Sequence, residues 1–213
     1  MESKTRFFDT RAENWEETCY PAPVRERLRD LIRELGVKPG ERLLDVGTGP
    51  GVLLPYLHKE VGLSGQVCAF DLSLEMIRQA HGKPHSSLDM IFQADVHHIP
   101  FTDRAFDRVI CFAAFPHFAN PGRALHEMGR VLKTGGVLIV AHLMSRKELA
   151  AHHGSHATVA RDVLPTNPEM RDLFVEAGLS PPDIIDIPGQ YMARGVNPNS
   201  WTFLLSSPKS GHF

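Results

Sequence analysis

The feature that most constrains this chain is a glycine-rich segment, which reads DVGTGPG at residues 45–51. Residues 42–47, with Leu43, Leu44 and Val46, predict a short buried strand, and residues 52–61 predict a helix. Glycines let the backbone turn sharply and approach a ligand closely, and the first turn of a helix presents unpaired N–H groups. The pattern therefore predicts a nucleotide-binding loop between a strand and a helix.

The spacing of the glycines distinguishes between kinds of nucleotide-binding loop. A dinucleotide fingerprint reads G-x-G-x-x-G. Counted from Gly47, it requires a glycine at position 52, where this chain has Val52. The spacing therefore departs from the form that binds nicotinamide dinucleotides. For a glycine-rich loop taken alone, an ordinary strand-to-helix turn is the alternative.

Two further acidic residues follow predicted strands. Asp71 ends a strand over residues 66–71, where a carboxylate can accept hydrogen bonds from both hydroxyls of a ribose. Asp95 follows a strand over residues 90–93, where it can receive an adenine amino group. With Asp45, all three acidic positions lie near the carboxyl ends of strands, the edge at which open α/β sheets bind ligands. Together they predict a nucleotide site more strongly than the loop alone.

Short apolar runs alternate with amphipathic segments along the chain, which is typical of βαβ units around a parallel sheet. Further strands are predicted over residues 106–112, 137–142, 183–187 and 190–195. Helices are predicted before Gly36, over residues 74–81 with Ser73 as cap, over 121–132 with Asn120 as cap, after a capping box of Ser145 and Glu148, and over 167–177.

Composition and charge argue against several classes of function. The 213 residues fit one domain, and a net charge of -2 without a dense lysine or arginine cluster argues against nucleic-acid binding. No stretch approaches the ~18 apolar residues that span a membrane, and the polar first residues do not resemble a signal peptide. Cys19, Cys68 and Cys111 are far apart and odd in number, which favours reduced thiols. We expect a cytoplasmic protein with no membrane span.

Five segments of the chain together resemble a known family. They lie within residues 40–142 and read LLDVGTGPG, AFDLSLEMI, QADVHHIPF, FDRVICFAAFPHF and ALHEMGRVLKTGGVLIVA. The set is similar to class I S-adenosylmethionine-dependent methyltransferases, in the broad group that includes the ubiquinone/menaquinone C-methyltransferases. Weaker similarity continues through DLFVEAGL and GQYMARG. None of these segments is specific to a substrate.

The resemblance implies an α/β fold with a Rossmann-like, doubly wound and mostly parallel seven-stranded sheet, covered by helices on both faces. The implied strand order is 3-2-1-4-5-7-6, with the last strand antiparallel. We expect residues 1–213 to form a single methyltransferase domain. Within it we expect a helical lid over residues 1–36, an insertion on the substrate side over 143–166, and a partly disordered tail over 196–213.

Carried over position by position, the resemblance implies how S-adenosylmethionine and its product S-adenosylhomocysteine are held. The implied contacts are Asp45 and Gly47 near the methionine moiety, Thr48, Gly49 and Gly51 in the loop beneath it, Asp71 on the ribose hydroxyls, Leu72 and Met76 against the adenine, Asp95 and Val96 at the adenine edge, and Phe112 beside the methionine portion. In many relatives an N-terminal aromatic segment folds over the cofactor, and FFDTRAENWEE resembles it. Phe8 and Trp15 are therefore candidate lid residues, with simple packing of a terminal helix as the alternative.

Methyl transfer from a sulfonium needs mainly positioning and exclusion of water, because the donor carries its own activation. The segment after the fourth strand reads AAFPHF. It lacks the Asn/Asp-Pro-Pro-Tyr motif, which disfavours methylation of amino groups in DNA bases or glutamine. His117 faces the active-site rim in this family and is our candidate catalytic residue, as a general base or an orienting group. A loop-capping or core histidine is the alternative.

Four of the 12 histidines lie close together in the sequence after the fifth strand: His142, His152, His153 and His156. His152 and His156 have the i, i+4 spacing that can place two imidazoles on one helix face. Gly154 lies between them, and no cysteine or nearby carboxylate pair completes a tetrahedral set. We therefore expect no metal and a polar lid over the acceptor pocket. A structural or catalytic metal is the alternative.

The leading interpretation is an enzyme that transfers a methyl group from S-adenosylmethionine to a small-molecule acceptor through a carbon, oxygen or sulfur nucleophile. We expect it to act as a monomer or homodimer. One alternative is a Rossmann-type oxidoreductase that uses NAD(P), disfavoured by Val52 and by Asp45 at the start of the loop. The other is an S-adenosylmethionine-binding protein that has lost catalysis. Residues 145–165 take the place of the segment that shapes the acceptor pocket in relatives, and they indicate no particular substrate.

Overall fold

A seven-stranded sheet lies at the centre of the structure. The computed structural model describes residues 4–87, 89–154 and 158–198. Each strand coincides with or overlaps a strand predicted from the sequence. The strands are β1 (Arg42–Val46), β2 (Gln66–Asp71), β3 (Met90–Gln93), β4 (Phe106–Phe112), β5 (Leu132–His142), β6 (Asp183–Ile187) and β7 (Gln190–Val196).

The strand order in the sheet is β3-β2-β1-β4-β5-β7-β6. Within β1 to β5, neighbouring strands are parallel to each other, and β7 runs antiparallel to both β5 and β6. The predicted order and the antiparallel last strand are therefore confirmed. Since β2 and β4 lie on opposite sides of β1, the chain changes direction across the sheet there. The loops that follow these strands meet at one edge, where open α/β sheets bind ligands.

Helices cover the sheet, and α4 begins two residues later than predicted. The helices are α1 (Lys4–Asp9), α2 (Trp15–Cys19), α3 (Ala22–Leu35), α4 (Leu54–Val61), α5 (Leu74–His81), α6 (Pro121–Arg130), α7 (Arg146–Gly154) and α8 (Asn167–Glu176). Three short 3-10 turns lie at Ala12–Asn14, Val96–His98 and Phe115–His117.

The central strands bury both of their faces. Leu43 of β1 belongs to the apolar cluster that contains residues of α3 and α4, whereas the next residue, Leu44, belongs to the cluster that contains residues of α6 and α8. In β4, Ile110 likewise belongs to the first of these clusters and Val109 to the second. This alternation follows from the two-residue period of a strand. Because helices cover both faces, these strands are continuous apolar runs.

The boundary between α6 and β5 differs from the prediction. The predicted helix over residues 121–132 ends at Arg130, and the strand predicted from residue 137 already begins at Leu132. Leu132 pairs with Phe106 at the start of β4. The Lys-Thr-Gly-Gly segment is therefore part of β5, because it pairs with a neighbouring strand, although its local sequence is typical of a helix end.

Predicted side-chain caps start several helices. The side chains of Ser73 and Asn120 each accept a hydrogen bond from a backbone N–H in the first turn of α5 and α6. Ser145 and Glu148 form the predicted capping box of α7: the carboxylate accepts from the Ser145 N–H at 2.8 Å, and the Ser145 hydroxyl accepts from the Glu148 N–H at 3.3 Å. Each such cap stabilises its helix by about 1 kcal/mol.

The last described residues continue the sheet. Strand β7 reaches Val196, and Asn197 exchanges backbone hydrogen bonds with Gly135 and Gly136. The predicted tail thus begins inside the sheet, and its residues 199–213 lie outside the described residues. In the described ranges, which end at residue 198, no helix is both long and apolar enough to cross a membrane.

A buried ion pair joins the end of the N-terminal helices to the centre of the sheet. Arg108 of β4 donates two hydrogen bonds to the carboxylate of Glu41, at 3.0 and 2.9 Å, and one to the carbonyl of Leu35 at 3.1 Å. The side chains of Arg108 and Glu41 are 5% and 14% exposed. Removing one partner of such a pair leaves an uncompensated charge inside the protein.

We expect Glu41→Ala to lower the free energy of unfolding by about 3 kcal/mol, because it leaves the Arg108 charge buried without its partner. Urea unfolding followed by circular dichroism measures the loss. The control is Glu60→Ala, which removes an exposed carboxylate from α4. A loss below about 1 kcal/mol, typical of exposed pairs, would contradict the buried pair.

Candidate active site

The glycine-rich loop follows β1 and is held against the end of β2. The backbone N–H groups of Gly47 and Thr48 both donate to the carbonyl of Phe70, at 2.9 and 3.0 Å. Gly47, Gly49 and Gly51 have φ angles of 68°, 55° and 77°. L side chains rarely adopt this left-handed conformation, so the path of the backbone itself requires glycine.

Two of these glycines also lie against close neighbours. A Cβ on Gly47 would be 2.4 Å from the Cβ of Ala114, in the segment after β4. A Cβ on Gly51 would be 2.8 Å from the side chain of Leu54 and 3.1 Å from Ala80 of α5. Gly51 therefore serves helix packing, which differs from the position beneath the cofactor that the resemblance implies.

Asp71 at the end of β2 connects the loop to the start of α5. One carboxylate oxygen accepts a hydrogen bond from the Gly49 N–H at 2.9 Å, and the other accepts from the Ser73 N–H at 2.9 Å. Burial raises the pKa of Asp71, although these backbone hydrogen bonds counter the rise. A carboxylate has about four lone-pair positions. Asp71 can therefore still accept a hydrogen bond from a ligand.

Asp45 is a buried carboxylate at the start of the loop, with 1% of its surface exposed. Its Oδ2 accepts a hydrogen bond from the Thr48 hydroxyl at 2.6 Å. Burial raises the pKa of Asp45 to about 7; the Thr48 hydrogen bond opposes the rise, and the charge of Asp71 adds to it. A cation in the cavity would favour the ionised form of both carboxylates.

Asp95 precedes the 3-10 turn after β3 and is paired with His97. The carboxylate accepts from the backbone N–H of His97 at 2.9 Å and lies 2.6 Å from its Nδ1. Since Nε2 of His97 accepts from the Asn120 N–H at 3.2 Å, Nδ1 carries the ring proton. Burial raises the pKa of Asp95, but the hydrogen bonds from His97 outweigh it and hold the pKa below its usual value.

One cavity of about 350 Å³ lies at the carboxyl edge of the sheet and is lined by Asp45, Asp71 and Asp95. His117, the candidate catalytic residue, lines the same cavity. Gly51 is the one candidate cofactor residue that does not contribute to the lining. The other candidates all do: Asp45, Gly47, Thr48, Gly49, Asp71, Leu72, Met76, Asp95, Val96 and Phe112.

The N-terminal segment closes part of the cavity. Lys4 and Phe8 of α1 line it, together with Trp15 and Tyr20. The ring of Phe8 packs edge-on against Trp15 and His117, with centroids 5.5 and 5.0 Å apart. The two candidate lid residues therefore contact each other and the cavity.

His117 lies at the end of the 3-10 turn after β4, and its side chain is 16% exposed. Its Nδ1 is 2.8 Å from Oδ2 of Asp162. Burial lowers the pKa of His117; the hydrogen bond with Asp162 opposes the fall, and His153 adds to it. A neutral imidazole that is held through one nitrogen can accept a proton through the other.

Three of the four clustered histidines lie near one another, and His156 lies outside the described residues. The ring of His153 packs against His117 and His152, with centroids 5.0 and 5.9 Å apart. Burial lowers the pKa of His142 to about 3, and the neighbouring histidines add to the fall. None of His142, His152 and His153 lines the cavity, so these three do not form the predicted polar lid. In the part of the chain that the structure describes, no three histidine, cysteine or acidic side chains are grouped as metal ligands.

Sequence reasoning missed several residues of the site. Tyr20 and His97 line the cavity, and Ser73, predicted only as a helix cap, lines it too. His97 has a local signal, because it follows Asp95 at the spacing of a side-chain-to-backbone turn. Asp162 has none: it reaches His117 across 45 residues of sequence.

Comparison with known proteins finds a family match over part of the chain. A family model described as a methyltransferase domain matches residues 44–140. The ubiquinone/menaquinone biosynthesis C-methyltransferase of Bdellovibrio bacteriovorus is 37% identical over 116 residues, which are 53% of this chain and 48% of that protein. Residues 44–140 are thus similar to the methyltransferase domain, and the chain resembles class I S-adenosylmethionine-dependent methyltransferases. It spans at most about half the length of the first curated relatives it matches.

Solved structures share the fold of this chain. One is a chain described as a methyltransferase, in complex with the Trm112 methyltransferase activator of Haloferax volcanii. It has a TM-score of 0.77 at 22% identity, covering 93% of this chain and 100% of that chain. Another, described as an S-adenosylmethionine-dependent methyltransferase of Methanococcus maripaludis, has a TM-score of 0.71 at 21% identity, covering 94% and 98%.

S-adenosylmethionine is the cofactor of this family, and the residues of the cavity fit it. Asp71 can accept a hydrogen bond from a ribose hydroxyl. Asp45 is a buried carboxylate whose ionised form a cationic ligand favours. Gly47 leaves the wall without a side chain where β1 meets the segment after β4.

We expect Gly47→Ala to weaken binding of S-adenosylhomocysteine at least about ten-fold, equivalent to about 1.4 kcal/mol. The added methyl group would meet Ala114 at 2.4 Å, so the loop must move. Isothermal titration calorimetry measures the affinity.

Gly178→Ala is the matched control for this substitution. Gly178 has a φ of 79°, and a Cβ there has no neighbour within 4 Å, so the change adds the same backbone strain without the clash. If Gly47→Ala bound the ligand as tightly as this control, the proposed loop geometry would be wrong.

Proposed function

We propose that the protein transfers the methyl group of S-adenosylmethionine to a small-molecule acceptor with an ionisable carbon, oxygen or sulfur nucleophile. The position of His117 carries this proposal. The imidazole lines the same cavity as Asp45, Asp71 and Asp95, and one ring nitrogen is engaged by Asp162. A neutral base that faces the cavity suits proton removal from an acceptor better than binding of the cofactor alone.

On the donor side, the acidic residues take the roles that the family resemblance implies. Asp71 accepts a hydrogen bond from the ribose, Asp95 borders the adenine, and Asp45 lies at the methionine end. Their order along the cavity follows the order β1, β2, β3 of the strands that carry them, which supports these roles. The other donor-side residues are Gly47, Thr48, Gly49, Leu72, Met76, Val96 and Phe112.

On the acceptor side, the cavity wall is largely aromatic. Phe8, Trp15, Tyr20 and Phe118 contribute to it together with His117. Aromatic side chains exclude water from the reacting atoms and give a small molecule an extensive contact surface. A cavity of about 350 Å³ has the size of a small-molecule site, which supports a small acceptor over a macromolecule.

S-adenosylmethionine supplies a methyl group whose bond to a positively charged sulfur activates it for in-line displacement. The chain holds the acceptor in line, excludes water and removes the proton of the nucleophile. His117 takes that proton on Nε2, because Asp162 engages Nδ1. S-adenosylmethionine, held by Asp45, Asp71 and Asp95, would supply the methyl group to the electron pair that this deprotonation frees on the acceptor, and the neutral thioether would be the leaving group.

The curated relatives favour carbon among the possible nucleophiles, since several are named C-methyltransferases. We propose a single domain over residues 1–213 that acts in the cytoplasm as a monomer or homodimer. The free state of Cys19, Cys68 and Cys111 supports a reducing compartment. Because a structural neighbour is in complex with the activator Trm112, an activating partner is the alternative to action alone.

We expect His117→Ala to lower kcat about 100-fold near neutral pH, because the proton acceptor is lost. In the wild-type protein, the rate falls as pH drops through the pKa of His117, since the protonated ring no longer accepts a proton. The pH profile of the variant should lack this fall in rate at low pH. Transfer of a radiolabelled methyl group to a panel of phenols, thiols and 1,3-dicarbonyl compounds measures both effects.

The matched control is His126→Ala, which removes an exposed histidine from α6. This control should keep the wild-type rate and pH profile. Coinciding profiles for His117→Ala and the wild-type protein would exclude His117 as the base.

A further inference from the structure

Asp162 connects two parts of the chain that are distant in sequence. Its Oδ2 is 2.8 Å from Nδ1 of His117, and its Oδ1 is 2.6 Å from Nζ of Lys4. The Asp162 side chain is 7% exposed. One buried carboxylate therefore contacts both the candidate base and the first described residue of α1.

The local backbone holds Asp162 in place. Its N–H donates to the carbonyl of Val159 at 2.8 Å, and its carbonyl accepts from Nδ1 of His153. His153 is itself buried and packs against His117. The backbone that carries the carboxylate is therefore held by its own segment and by α7, in addition to the side-chain contacts with Lys4 and His117.

Helix α1 is attached at both of its ends. At one end, Lys4 binds Asp162 and also donates to the carbonyl of His117 at 3.3 Å. At the other end, Asp9 accepts a hydrogen bond from the Ser73 hydroxyl at 2.5 Å. Between these ends, Phe8 lines the cavity and packs on the His117 ring. The helix thus crosses the cavity from the acceptor side to the donor side.

The charges around His117 come from several elements. Lys4 belongs to α1, His152 and His153 belong to α7, and His142 ends β5. Asp162 is the carboxylate bonded to the ring. Burial raises the pKa of Asp162, but its hydrogen bonds with His117 and Lys4 outweigh it and hold the pKa below its usual value. The carboxylate is therefore ionised at neutral pH, and it accepts the Nδ1 proton of the ring.

We propose that Asp162 is a positioning residue that couples closure of α1 over the cavity to the orientation of His117. By accepting from Nδ1, it leaves Nε2 as the nitrogen that receives the proton of the acceptor. By binding Lys4, it holds Phe8 over the same ring. The kinetic consequence rests on the proposed function, whereas the effects on the ring and on the helix do not require turnover.

The test compares Asp162→Asn and Lys4→Met with the wild-type protein. Asp162→Asn should lower the pKa of His117 further, because the neighbouring negative charge is lost. NMR titration of the His117 ring, assigned by its absence from His117→Ala, measures this shift without an acceptor. In the methyl-transfer assay, kcat should fall about 10- to 100-fold, with KM for S-adenosylmethionine little changed. Asp162→Glu should recover part of the rate.

Both variants should also loosen the helix. Phe8 packs against Trp15, so release of α1 should increase quenching of Trp15 fluorescence by acrylamide. A Trp201→Phe background leaves Trp15 as the only tryptophan. Lys4→Arg should restore the protection that Lys4→Met loses.

Matched controls are Asp172→Asn on α8 and Lys59→Met on α4, which change exposed residues. Both should behave as wild type, and binding of S-adenosylhomocysteine to Asp162→Asn verifies that it is folded. An unchanged His117 pKa in Asp162→Asn, or unchanged quenching in both Lys4→Met and Asp162→Asn, would overturn the proposal. If both change but no acceptor is methylated, the coupling holds and the proposed function fails.

Discussion

A chain of hydrogen bonds centred on Asp71 determines how the site is assembled. Its carboxylate accepts from the N–H groups of Gly49 and Ser73, and the Ser73 hydroxyl donates to Asp9 of α1. The glycine loop after β1, the end of β2, the start of α5 and the N-terminal helix therefore meet at one residue. The cavity can exist in this shape only while that carboxylate is ionised or otherwise able to accept these bonds.

The carboxylates and the imidazole of the cavity differ in their electrostatics. Burial raises the pKa values of Asp45 and Asp71, and their hydrogen-bond partners among the described residues are a hydroxyl and backbone N–H groups rather than a cation. A positively charged ligand offsets the cost of burying them, which suits a cofactor that carries a sulfonium and an ammonium group. On the acceptor side, burial lowers the pKa of His117, which keeps the ring neutral and able to receive a proton. One cavity thus combines buried carboxylates that favour a cationic ligand with a neutral imidazole that can receive a proton.

Much of this fold could be predicted from local sequence. Apolar runs located all seven strands, and Ser73, Asn120 and Ser145 marked helix starts because capping depends on neighbouring residues only. The start of β5 at Leu132 could not be predicted, because its pairing with Phe106 overrides a local helix-end signal. Asp162 could not be predicted either. Its partner Lys4 lies 158 residues away, and no local pattern encodes such a contact.

The assignment of the cavity to S-adenosylmethionine, and not to a nicotinamide dinucleotide, underlies the roles of its residues. Its most direct test is isothermal titration calorimetry of the wild-type protein with S-adenosylmethionine, S-adenosylhomocysteine and NADH. The geometry of the loop predicts saturable binding of the first two ligands, with one site per chain, and no saturable binding of NADH. Saturable binding of NADH, or no binding of S-adenosylmethionine and S-adenosylhomocysteine, would contradict it.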